Sequence, residues 1–299
     1  MNVAVVDVGS NTIRLLVAAR TQHGVVCVAR GKRMVGLGAD VERHGAVSAQ
    51  KLAEAAECLS GFADTARAAG AVLIDVVVAS PGRQAQNADQ LAHMLSRAAG
   101  APVRMLSRDE EARLAFEGAI ASDRHDGAVA VCDIGGGSTQ IAVGTADRGP
   151  AWLRSVDLGS LRLSARVPCS DPPTREEISV LRSQAETAFA RLTPPLPAEA
   201  ITVGGTARAV KKLVGRTLGP DELREALRLL RKSTAVQIAM TYGTDVWRAC
   251  TLPAGVAILL EVQRLLGVPL EVGRGGLREG LALELLDRLP AVQVGGGRR

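Results

Sequence analysis

A segment near the start of the chain returns, without a gap, 126 positions later. Asp7-Val-Gly-Ser-Asn-Thr-Ile-Arg-Leu-Leu-Val17 lies against Asp133-Ile-Gly-Gly-Gly-Ser-Thr-Gln-Ile-Ala-Val143. Each copy is an apolar strand ending in an acid, a turn of glycine and small polar residues, and a returning strand. Each is followed by a further strand, a helix, a strand and a helix. Solenoid repeats have periods of about 20–50 residues, so this one duplicates a whole folding unit. At 299 residues the chain can bury two cores. The repeat therefore predicts two similar α/β domains, residues 1–124 and 125–293, meeting near 123–127. The Gly- and Arg-rich end, 294–299, reads as disordered.

The local pattern fills in the elements. Val3–Val6, Ile13–Ala19 and Val25–Ala29 read as three hairpin-connected strands. Ser48 to Ala69 has helical periodicity and stops at Gly70. Val72 to Ala79 is apolar except for Asp75, which suggests a strand buried on both faces in a parallel pairing. Gln84 to Ala99 reads as one helix, and Ser107–Glu110 and Thr174–Glu177 as capping boxes that open two more. Further helices are expected from Asp221, Ser233 and Pro253, and after Gly204-Gly205 and Gly275-Gly276. The last should pack back against the domains and is given no chemistry.

The two turns carry the chemical signal. Residues without a bulky side chain let backbone N–H groups converge, and such a nest binds phosphate oxygens. Gly9, Ser10 and Asn11 in the first turn, and Gly135, Gly136, Gly137 and Ser138 in the second, are the candidate phosphate ligands. A plain hairpin would explain either turn alone; two copies at matched positions favour the binding reading. Asp7 and Asp133 end the strands at the mouths of these turns and would repel a phosphate unless a divalent cation lay between. Magnesium suits that position, with manganese as the alternative. The sequence has neither a GxxxxGK[ST] loop nor a complete GxGxxG fingerprint at these turns.

DVGSNTIRLLVA (7–18) and DIGGGSTQIAVG (133–144) resemble the two phosphate loops of the exopolyphosphatase and guanosine pentaphosphate phosphatase (Ppx/GppA) family. The resemblance continues through GLGADVERHGAVS (36–48), RQAQNADQL (83–91), SRDEEARLAFEGA (107–119), LGSLRL (158–163), VGGTARAV (203–210), LPAGVAIL (252–259) and GGLREGLAL (275–283). It implies two RNase H-like domains of the actin-like ATPase superfamily, each a mixed sheet with helices, facing across a cleft. It also implies hydrolysis of phosphoanhydride bonds by water. The family's general base matches Glu111. By position Glu111 lies in the first turn of a capped helix, on one face with Ala115 and Gly118, whereas Glu110 and Glu117 point elsewhere. Capping alone would also account for an acid there. Arg83 and Asn87 match the family's R-x-A-x-N segment, and Arg83 could clamp phosphate through its planar fork. Ser80-Pro81-Gly82, just before it, departs from the family pattern. Gly205 and Thr206, opening a helix, are a further candidate anion site.

The resulting expectation is metal-dependent release of orthophosphate from the terminus of inorganic polyphosphate. The alternatives are hydrolysis of guanosine pentaphosphate (pppGpp), alarmone sensing without turnover, and a small-molecule kinase of the same superfamily. Longer family members carry an added helical C-terminal region, and its absence from this sequence suggests shorter polyphosphates. A homodimer is possible by family habit. Composition narrows the partners. The net charge of +5 favours anions, and six aromatic residues are too few for the stacking platforms of single-strand nucleic-acid binders. Five cysteines without a CxxC pair, no signal-peptide pattern and no apolar run near membrane-spanning length suggest a cytoplasmic protein. The four histidines, 23, 44, 93 and 125, have no metal-ligand spacing.

Overall fold

The computed structural model describes residues 1–22, 24–121 and 123–290, and forms two mixed β-sheets flanked by helices. His23, the end of the 125–293 span and the 294–299 tail lie outside the described residues. The first sheet takes β1 (Asn2–Val8), β2 (Thr12–Thr21), β3 (Gly24–Met34), β4 (Ala71–Val78) and β5 (Val103–Met105), in the order β3-β2-β1-β4-β5. Its connections hold α1 (Leu37–His44), α2 (Ala49–Ala68), α3 (Ser80–Gln84) and α4 (Ala88–Ala99), and α5 (Arg108–Ile120) leads out of it. The second sheet contains β6 (Val129–Ile134), β7 (Thr139–Thr145), β8 (Gly149–Val156), β9 (Glu199–Val203), β10 (Thr217–Leu218) and β11 (Leu270–Val272). Its order is β8-β7-β6-β9-β11-β10, which repeats the first sheet strand for strand and adds an edge. The helices of this half are α6 (Ser160–Arg166), α7 (Arg175–Phe189), α8 (Gly204–Val214), α9 (Pro220–Lys232), α10 (Ala235–Tyr242) and α11 (Val246–Leu266), and α12 (Leu277–Asp287) ends it.

The duplication holds at the level of register. β1 pairs antiparallel with β2 and parallel with β4; β6 does the same with β7 and β9. Asp7 stands opposite Arg14 and Asp133 opposite Gln140 across the two hairpins. β4 is paired by parallel neighbours on both sides, β1 and β5, and buried only over its second half, Asp75–Val78; Val72 and Leu73 are exposed, so the doubly buried strand expected over the whole run holds for that half alone.

Two helices cross between the halves. One face of the first sheet is covered by α2 and α4, through Leu52, Leu59, Leu91 and Leu95. Its other face is covered by α12, whose Leu277, Leu281 and Leu285 pack with Val3, Val5 and Leu16. Conversely, Phe116 and Ala119 of α5 pack on Val129, Val131, Ala142 and Ile201 of the second sheet. The crossing helices meet through glycine. A methyl group at Gly118 would overlap the backbone of Gly276 and Gly280, so the two helices touch backbone to backbone.

Three expectations need correcting. The helix expected over Gln84–Ala99 is two helices, because Asn87 turns its side chain onto the Val47 backbone. Its Oδ1 accepts from Val47 N at 2.9 Å and its Nδ2 donates to Val47 O at 2.8 Å. Pro253 does not start a helix; it lies inside α11, which begins seven residues earlier under an Asp245 cap that accepts from Arg248 N at 2.7 Å. α11 is also long and apolar enough, by length and composition, to cross a bilayer. That stretch is 78% buried, and Leu252, Val256, Ile258 and Leu259 form the core of the second half.

Candidate active site

Both glycine turns lie at the carboxyl ends of parallel strand pairs, where α/β sheets place their ligands. In the first, Gly9 N donates to Thr12 O at 3.1 Å; in the second, Gly135 N donates to Ser138 O at 3.0 Å. The turn carbonyls are drawn outward. Ser10 O accepts from Gly38 N, Gly135 O from Ser160 N, and Gly136 O from Leu161 N, at 2.7–3.0 Å. Among the described residues, the amides of Ser10, Asn11, Gly136 and Gly137 find no backbone acceptor. That is the polarity an anion site requires.

The turns face each other over one narrow crevice of about 100 Å³. Its walls include Asp7, Gly9, Ser10, Asn11, Glu111, Asp133, Gly135, Gly136, Gly137, Ser138 and Gly205. Two expected ligands stand elsewhere. Thr206 is buried behind the wall, its Oγ1 3.4 Å from Ser160 Oγ. Arg83 grips Glu111 instead of the crevice, donating through Nη2 to Glu111 Oε2 at 2.7 Å and through Nη1 to Leu106 O at 2.8 Å.

Three acids converge here without forming a hydrogen-bonded cluster. Burial, reinforced by the neighbouring Asp7 charge, pushes Asp133 up to about 6. Burial raises Asp7 as well, against the pull of Arg278 and Arg14. Glu111, only 7% exposed, is pushed up to about 7 by burial, although Arg83 opposes the shift. The other glutamates of α5 are committed elsewhere, Glu110 capping Ser107 N at 2.9 Å and Glu117 pairing with Arg113 at 2.9 Å, and Asp109 is exposed. Glu111 alone on this helix lines the crevice.

The crevice opens into a cavity of about 590 Å³ walled by Arg14, Arg30, Lys32, Arg208, Lys212, Arg248 and Arg278, with Asp245 as the one acid lining it among the described residues. Arg14, Gly205 and Arg248 belong to both walls. Burial, reinforced by crowding with Arg14 and Arg278, lowers Arg208 to about 10, and burial with neighbouring arginines lowers Arg14 and Arg248 as well. An anion entering this cavity would relieve that crowding. The sequence reading missed these arginines. Only Arg14 left a signal, since it faces Asp7 across the first hairpin. Ion pairs join the halves on either flank: Lys32 to Asp245 at 3.1 Å and Arg162 to Glu42 at 2.9 Å. A more apolar cavity of about 350 Å³ adjoins the other side, touching the crevice through Ser10 and Gly137.

The Ppx/GppA phosphatase family model matches residues 16–289. The chain belongs to this family. It is 28% identical to Exopolyphosphatase 1 of Mycobacterium tuberculosis, over 96% of this chain and 89% of that one. It is 27% identical to a guanosine-5'-triphosphate,3'-diphosphate pyrophosphatase of Vibrio vulnificus, over 96% of this chain but only 59% of the relative. The chain thus spans about three-fifths of that Ppx/GppA relative's length. An exopolyphosphatase of Cytophaga hutchinsonii shares the fold, with a TM-score of 0.87 at 21% identity, covering 97% of this chain and 99% of that one. The two mixed sheets are those of the actin-like ATPase fold expected of the family.

Proposed function

We propose that this protein hydrolyses the terminal phosphoanhydride bond of inorganic polyphosphate and releases orthophosphate. The observation that carries the reading is one crevice with two glycine turns, a buried carboxylate of raised pKa, and an exit into a basic cavity. The terminal phosphoryl group lies between the turns, its oxygens on the amides of Ser10, Asn11, Gly136 and Gly137. The rest of the polyanion follows the arginines. Glu111 takes a proton from a water aligned for attack on phosphorus, and Arg83 fixes the carboxylate's orientation. Positioning and electrostatics dominate such a transfer. A cytoplasmic setting belongs to the same reading, and all five cysteines are free.

Asp133 and Asp7 are the residues that would hold magnesium or manganese. Two hard carboxylates, both raised by burial and Asp133 further by the Asp7 charge, with no hydrogen bond reaching either among the described residues, suit a cation that also takes phosphate and water oxygens. Bound there, the ion would neutralise charge on the leaving phosphate. Asp133→Ala is expected to bring turnover to the metal-free background; a magnesium titration curve like the parent's would refute the assignment.

One assay tests the function: phosphate release from tripolyphosphate, long polyphosphate, pppGpp and ATP in parallel, with and without magnesium. Release from neither polyphosphate would reject the reading. Turnover of pppGpp in preference would support the second reading, favoured by the Vibrio relative's name and by the apolar cavity beside Ser10 and Gly137. The basic cavity has its own test. Reversing Arg208 and Lys212 to glutamate should raise KM for long polyphosphate by at least about tenfold at low salt, with a smaller effect at high salt. A KM unchanged at every ionic strength would remove the cavity from the binding path.

A further inference from the structure

The duplication reaches beyond the glycine turns. Asp7 stands opposite Val77 in β4, and Asp133 opposite Val203 in β9. The 126-residue offset therefore carries through to the next strand pair and makes Ser80 the counterpart of Thr206. Their surroundings are opposite. Thr206 is 1% exposed and turned toward α6 and α11, where its methyl group occupies the space a β-carbon at Gly255 would need. Ser80 is 3% exposed yet lines the crevice, and among the described residues its Oγ has no hydrogen-bond partner.

Its neighbours show what that hydroxyl faces. A β-carbon at Gly137 would stand 2.5 Å from Ser80 Oγ and 2.6 Å from Ser10 Oγ, so two hydroxyls of the first half converge on the turn of the second. Asn11, 5% exposed beside them, leaves both Nδ2 and Oδ1 unpartnered. Buried polar groups in native proteins are nearly always satisfied, and unsatisfied ones gathered at one crevice mark where a ligand supplies the partner. Pro81 adds a reason for serine here. It has no N–H to offer, so the Ser80 hydroxyl supplies the donor that the next backbone amide cannot.

We propose that Ser80 is a substrate ligand, its hydroxyl donating to a non-bridging oxygen of the phosphoryl group held between the turns. This rests on the reading of the crevice as a phosphoryl site. It moves the role expected of Thr206 to the equivalent position in the other half, and gives the Ser80-Pro81-Gly82 departure a function.

The test uses the full chain with Ser80→Ala and Ser80→Thr. Turnover of tripolyphosphate is measured alongside the thermal midpoint, with and without inorganic phosphate. Ser80→Ala should lower kcat/KM by roughly 10- to 100-fold, as for loss of a hydrogen bond to a charged oxygen. Its midpoint without phosphate should equal or exceed the parent's, because the unpartnered hydroxyl is gone. The rise in midpoint that inorganic phosphate gives the parent should shrink, and Ser80→Thr should recover most of both losses. Turnover within about twofold of the parent with phosphate protection intact overturns the proposal. So does a lowered midpoint with unchanged turnover, which is what a structural serine would give. A parent that hydrolyses no phosphoanhydride rejects the proposed function, and the phosphate-protection comparison then decides Ser80 alone.

Discussion

Replacing Glu111 by glutamine is expected to lower kcat by roughly 10²- to 10⁴-fold and to leave KM nearly unchanged. Glutamine keeps the size and one acceptor oxygen for Arg83 but cannot take a proton from water. The pH profile supplies a second check. A general base works only when ionised, and burial pushes Glu111 from 4.5 up to about 7. The parent's rate should therefore fall as pH drops through about 7 and level off above it. With an ordinary glutamate the fall would begin near 4.5. In the glutamine variant that limb should vanish from whatever rate remains. A variant with full activity, or one that keeps the same limb, would take Glu111 out of the reaction.

The second large effect is expected at Gly118, where α5 crosses α12. Even one methyl group there meets the Gly276 carbonyl and the Gly280 amide, which are backbone and cannot step aside as a side chain can. Gly118→Val should force the helices apart at a cost of roughly 3 kcal/mol or more. For a chain of this size that lowers the midpoint by roughly 5 °C or more. Turnover should fall even in the folded fraction, because Glu111 rides two turns earlier on the same helix. Gly61 makes a sharp control. It lies in α2 with nothing near the position of its missing β-carbon, so Gly61→Ala should be neutral or stabilise by about 0.5–1 kcal/mol. Calorimetry on the two variants reads both. Equal midpoints would mean the helices do not touch as described.

These two sites also show how far the sequence could be read. Apolar runs, turns and capping boxes are local signals, and the hairpins, the parallel β4 and the helices opened by Ser107 and Thr174 follow from them. The repeat joined Asp7 to Asp133 and one glycine turn to the other because matched positions in duplicated halves face alike. Nothing local, however, shows which sheet a helix will cover. α5 and α12 each pack on a sheet and on the other, so their buried residues spread round the helix and neither has one clear stripe to assign. Arg208 and Arg248 lie forty residues apart on two helices of the second half, and they share a cavity with Arg14, Arg30 and Lys32 of the first sheet only when the halves close on each other. Arg14 was legible only through hairpin register. Thr206 stands off the crevice because it lies in the first turn of α8 on the face turned toward Ser160 and Gly255, a facing that composition does not encode.

The exchange of α5 and α12 makes the gene's two halves unequal to the molecule's two halves. A polypeptide stopping near residue 123 would carry its own first sheet but leave Val3, Val5 and Leu16 without the helix that seals them. One starting there would leave Val129, Val131 and Ile201 equally bare. Each fragment would be sticky alone, yet the pair should recognise one another by trading helices, so this protein is suited to reconstitution from two separately made pieces.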